Sequence, residues 1–197
     1  MDLNLTQAEQ LVSQVQTAHR LAVGFYQRIL PQLETVAGAL DMQFWYWKPA
    51  YTSRPCSSAT SPNKSWKWDL LPLFASQHAY WRIAGEQAQE GDTALVFNLC
   101  IDQDFKPERR KLLGIKGQPD PLAMKGVATA EIFLIRCFAD SEQPFHRLWE
   151  EITWPEDAGE GWQIASPTMN VCRLTYSLAQ FIAEPQSIIG KLKGFLG

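Results

Sequence analysis

The stretch TALVFNLCI, residues 93–101, is apolar at nearly every position, and IFLIRCF, residues 132–138, repeats that pattern. A strand with one wet face alternates apolar and polar side chains, whereas a strand covered on both faces does not. These two runs therefore read as the central strands of a sheet packed on both sides. Weaker apolar and aromatic runs at 44–47, 66–70 and 80–84 supply further strands, about five in all.

Helices to cover such a sheet stand at both ends of the chain. Leu11, Val15, Ala18, Ala22, Phe25, Ile29, Leu33, Val36 and Leu40 recur at steps of three and four, the spacing of one helical face. Thr6 with Glu9 fits a capping box at its start, and Pro31 predicts a kink or split near Leu30. A short helix is expected near 108–113 and another near 145–151. Ser166 as N-cap with Pro167 at the first helical position, followed by Val171, Leu174, Leu178, Phe181 and Ile182, predicts a helix ended by Pro185. Ile188, Ile189, Leu192, Phe195 and Leu196 predict a last amphipathic helix. The expectation is one α+β domain spanning 1–197, a mostly antiparallel sheet packed by a long N-terminal helix and C-terminal helices, with long loops at 49–65 and 102–126.

Composition narrows the class. Of 197 residues, 46% are hydrophobic and 20% charged, outside the regime of disordered chains. A net charge of −3 gives no general attraction to nucleic acid or anionic lipid, so any such binding has to be local. The N-terminus lacks a basic segment followed by an apolar one, and no run of 18 apolar residues occurs, so neither export nor a membrane span is expected. Cys56, Cys100, Cys137 and Cys172 are far apart, with no CxxC pair, and read as free thiols of a cytoplasmic protein. No cofactor or metal ligand pattern is present, since the histidines form neither HxH nor HExxH and no glycine-rich phosphate loop follows a strand.

Three clusters carry chemical interest. The span 44–68 holds Trp45, Trp47, Trp66 and Trp68 among Lys48, Arg54, Lys64 and Lys67, with no acidic residue. Indole faces beside cations suit an interface anchor or the stacking of a base. The bland reading is that alternate rings simply fill the core. Residues 104–126 carry a net +3 and residues 140–160 a net −6, an asymmetry that could steer a partner or merely keep the loops soluble. Asp102 and Asp104 close one strand, Glu131 opens the next, and Lys106 lies nearby, a set that in principle holds Mg²⁺ for phosphodiester chemistry. Cys56 with His78 or His146 is a weaker nucleophilic pairing.

The reading these residues favour is a non-catalytic accessory or regulatory protein. It would bind a protein partner through Trp45, Trp47, Lys48, Arg54, Lys64, Trp66, Lys67 and Trp68. The alternatives are a nucleotide or single-stranded nucleic-acid binder using the same residues, and a Mg²⁺-dependent, nuclease-like phosphodiesterase.

Overall fold

The computed structural model describes residues 5–50, 74–117, 124–155 and 161–197. The expected strand at 66–70, and Arg54, Cys56, Lys64, Trp66, Lys67 and Trp68, lie outside the described residues.

Helix α1 (Leu5–Gly38) leads into strand β1 (Gln43–Pro49), followed by β2 (Ala75–Arg82) and β3 (Thr93–Cys100). A single 3-10 turn (Gln103–Phe105) and α2 (Pro107–Leu112) precede β4 (Thr129–Cys137) and α3 (Phe145–Glu150). A short β5 (Gln163–Ile164), then β6 (Met169–Ser177), α4 (Leu178–Ala183) and α5 (Pro185–Leu196) complete the described chain. The strands form one six-stranded sheet in the order β1-β2-β3-β4-β6-β5, and every adjacent pair is antiparallel. The α+β architecture follows from the sequence as expected, and β3 and β4 are indeed central.

The two faces of the sheet are built differently. On the first, Ile29, Leu33 and Val36 of α1, Phe181 of α4 and Ile188 and Leu192 of α5 pack on Tyr80, Leu95, Phe97, Ile132, Leu134 and Leu174. On the second, Phe145 and Leu148 of α3 pack on Ala79, Val96, Phe133, Ile135 and Val171, with Trp45, Trp81 and Trp149 closing the edge. Burial on both sides explains why β3 and β4 show no alternation.

Two helical expectations are corrected. Residues 169–177 form a strand, and the helix begins only at Leu178. Because β6 is covered on both faces, Val171 and Cys172 are both buried, as are Met169 and Leu174, and such a run has no period of two to oppose the helical spacing. Ser166 accepts from the backbone N–H groups of Thr168 and Met169, so its hydroxyl secures the β5–β6 turn by the hydrogen bonding that would have capped a helix. The true N-cap is Ser177, in a capping box with Gln180. Pro185 opens α5 at its first turn, where the missing N–H costs nothing, after α4 has ended at Ala183.

Pro31 does not split α1, which is continuous through it. The helix loses the single donor that proline lacks, and the Pro31 carbonyl accepts from the Thr35 hydroxyl at 2.9 Å. Among the described side chains of α1, those in the core are Phe25 and Tyr26 onward, while Ala18, Leu21 and Ala22 are exposed, Leu21 at 69%. At 1.5 Å per residue a helix of this length runs about 51 Å, longer than a sheet of six strands spaced about 4.8 Å apart.

Candidate functional site at the β1 edge and the polar row beside it

Strand β1 occupies one edge of the sheet, and its pairing with β2 is interrupted between Phe44 and Tyr46. Phe44 lies opposite Tyr80 and Tyr46 opposite Ala79, so Trp45 is an extra residue, a β-bulge. The bulge undoes strict alternation. Trp45 joins Tyr46 on the α3 side, stacked on Trp81 at 4.3 Å between ring centroids and met edge-on by Trp149 at 5.1 Å. Its ring is part of the packing.

Phe44 and Trp47 face the other side, each with one ring surface on the protein. Phe44 meets Tyr80 edge-on at 5.7 Å, and Trp47 stacks over His78 at 6.2 Å. Both remain more than half exposed, at 55% and 52%. Lys48 follows, exposed, with its ammonium 5.9 Å from the Tyr46 ring centroid. The structure therefore brings Trp47 and Lys48 of the expected cluster to an open edge and turns Trp45 inward. Phe44 belongs to the aromatic span read from sequence but not to the residues expected to bind, because only the bulge reveals that it and Trp47 share a side.

His78 is buried, and its Nε2 lies 3.0 Å from the Ser76 hydroxyl. Burial pushes its pKa below the ordinary value, which favours the neutral ring. Both side chains sit beneath the sheet surface, and the pair reads as a satisfied polar contact in the core. His146 stands on α3, and Cys56 lies outside the described residues.

A row of polar side chains missed from sequence crosses the sheet on the α3 side. Lys48 of β1, Gln77 of β2, Asn98 of β3 and Glu131 of β4 occupy successive positions across the four strands. They border a cavity of about 90 Å³ together with Ala50, Leu99, Cys100 and Lys106. Polar groups in the middle of a sheet need partners, and most of these have them. Glu131 accepts from Arg173 at 2.7 Å and pairs with Lys106 at 3.8 Å, all three side chains being at least four-fifths buried. Tyr46 donates to Gln77 Oε1 at 2.8 Å, and Gln77 Nε2 donates to Asn98 Oδ1 at 3.0 Å. Each strand contributes one residue to the row, which gives no periodic signal, and only the register aligns them.

The carboxylates considered for Mg²⁺ are committed elsewhere. Asp102 caps the 3-10 turn by accepting from the Asp104 N–H at 2.9 Å. Asp104 is buried, accepts from Arg109 at 3.3 Å and takes the Lys125 N–H at 3.1 Å. Gly126 permits this turn, since a β-carbon there would lie 1.9 Å from Asp102 Oδ1. Glu131 belongs to the ion cluster of Arg173 and Lys106 instead. Among the described residues, no three His, Cys, Asp or Glu side chains converge on a metal position.

Cys100, Cys137 and Cys172 are buried and unpaired, and burial pushes all three thiols up, Cys137 to about 12. Such thiols stay protonated and unreactive. No helix among the described residues is long and apolar enough to cross a membrane.

The fold is thus an antiparallel α+β sheet with α1, α4 and α5 on one side and the short α3, an aromatic margin and a polar row on the other. The chain belongs to the PM0109 family, whose profile matches residues 5–184. Neither the curated proteins nor the solved structures yield a match to this chain.

Proposed function

We propose that this protein is a non-catalytic accessory or regulatory subunit that holds a protein partner along β1. The observation that carries this reading is the pair Phe44 and Trp47, each over half exposed on the edge strand beside an exposed Lys48. Edge strands offer unpaired backbone groups to an added strand, and half-exposed aromatic rings give such a contact its anchors. A partner segment with an apolar side chain over Trp47 and an acidic one near Lys48 matches this surface. The commitment of Asp102, Asp104 and Glu131 to internal bonds supports binding over phosphodiester chemistry. A cytoplasmic location goes with this reading and is supported by the unpaired thiols of Cys100, Cys137 and Cys172.

Photo-crosslinking tests the interface. A benzoylphenylalanine at position 47 should give one discrete adduct in cell extract, and the same probe at the exposed Leu112 of α2 should not. The purified adduct partner should then bind the native protein and lose affinity at least tenfold on Trp47→Ala. Equal labelling from both positions, or binding untouched by that substitution, refutes a β1 interface. Saturable tryptophan quenching by oligonucleotides at low salt, lost on the same substitution, would replace it with the nucleic-acid reading.

A further inference from the structure

The polar row has a direction, and its direction can be read from chemistry. Trp149 meets the Tyr46 ring edge-on at 6.3 Å between centroids and fixes the position of the phenol. The Tyr46 hydroxyl donates to Gln77 Oε1, and the Gln77 amide then presents Nε2 to Asn98 Oδ1. Asn98 is left with its Nδ2 group, two N–H donors at the cavity wall, and no described residue accepts from it. Lys48 adds a second source of donors on the same wall, with no carboxylate among the described residues paired to it.

The acceptor capacity of this cavity is already spent. Glu131 is its sole charged acceptor among the described lining residues, and Arg173 and Lys106 hold it. The lining therefore carries two lysines against one neutralised carboxylate and ends in an unspent amide. Donors gathered on one cavity wall with a net positive lining favour an occupant bearing acceptor oxygens over an apolar one. We infer that the cavity lined by Lys48, Asn98 and Lys106 is a subsite for a small carboxylate. One oxygen takes the Asn98 Nδ2 donors and the other the Lys48 ammonium.

Size and charge narrow the class. About 90 Å³ admits a group of acetate dimensions and leaves no space for a nucleotide base. Glu131 in the same wall opposes a doubly charged anion such as hydrogen phosphate, while a monoanion meets a net positive lining. The carboxylate belongs either to a free short-chain acid or to an acidic side chain of a partner on β1. The site stands without the interface proposed above, because its groups are set by the Tyr46–Gln77–Asn98 hydrogen bonds and not by a partner.

The test is titration of the ¹⁵N-labelled native protein with sodium acetate against sodium chloride of equal ionic strength. Acetate should shift the Asn98 and Gln77 side-chain amides saturably, in the millimolar range expected of a ligand with so few atoms. Lys48→Gln, an exposed and fold-neutral change, should weaken the response at least fivefold. Asn98→Asp, nearly isosteric, should abolish it while the rest of the spectrum stays dispersed. An acidic peptide active where free acetate is not assigns the carboxylate to a partner. No saturable shift with either, or an unchanged response in Lys48→Gln, overturns the site. An equal response to acetamide or to hydrogen phosphate overturns the monoanion assignment.

Discussion

The side of the sheet under α1, α4 and α5 is filled mainly by aliphatic side chains around Phe97, Phe181 and Tyr80, whereas the side under α3 is aromatic at its margin and polar across one row. The difference lies in what covers each side. Three helices, α5 twelve residues long, seal the first, and only six residues of helix lie on the second. Where cover is thick, dispersion and water exclusion decide the residues. Where it is thin, large rings and ion-paired side chains take over. The rings of Trp45, Trp81 and Trp149 exclude water with few residues, and Glu131, Arg173 and Lys106 neutralise one another beside a cavity. The first side is sealed except at the β1 edge, where Phe44 and Trp47 stay exposed, and the second keeps polar groups beside a cavity.

The sharpest way to break this contrast is to remove a ring from the sealed side. Phe97→Ala deletes a fully buried side chain packed on Tyr80 and Phe181, and should cost about 3–5 kcal/mol in urea unfolding. A loss below about 1 kcal/mol would mean that the helical side is not the rigid one.

On the other side, Glu131→Leu strands two mostly buried cations and should cost about 3 kcal/mol, most of it recovered when Arg173→Met is added. A double-mutant cycle that shows no coupling would make the row a set of independent residues.

A smaller effect concerns pH. Burial lowers the pKa of His78 in the folded state, so its contribution is complete above the unfolded value of about 6.5 and is lost as pH falls from there toward the depressed folded value. Thermal stability should decline through that window. In His78→Gln the slope should be shallower by up to one proton, and an unchanged slope would assign the decline to other groups. Smallest of all in stability is Trp47→Ala, expected within about 0.5 kcal/mol because the ring is half in water. Its effect should appear in binding alone, and a large loss of stability would turn Trp47 into a core residue.

Much of the fold is legible in the chain. The unbroken apolar runs at 93–101 and 132–138 locate β3 and β4, and helical spacing locates α1 and α5. The same physics that makes β3 readable hides β6, because a strand buried on both faces can carry apolar residues at helical spacing as readily as at any other. Of the site, the sequence marks the aromatic and basic residues near β1 and misses which of them share a side. A bulge at Trp45 decides that, and it leaves no trace in composition.

The chain by itself thus determines an α+β sheet with buried centre strands and helices to cover it, because apolar periodicity is a local property that burial selects residue by residue. Tertiary structure alone decides that Gln77, Asn98 and Glu131, scattered over 55 positions of sequence, stand side by side. Antiparallel register sets that alignment, and register depends on hydrogen bonds between segments that no single segment encodes.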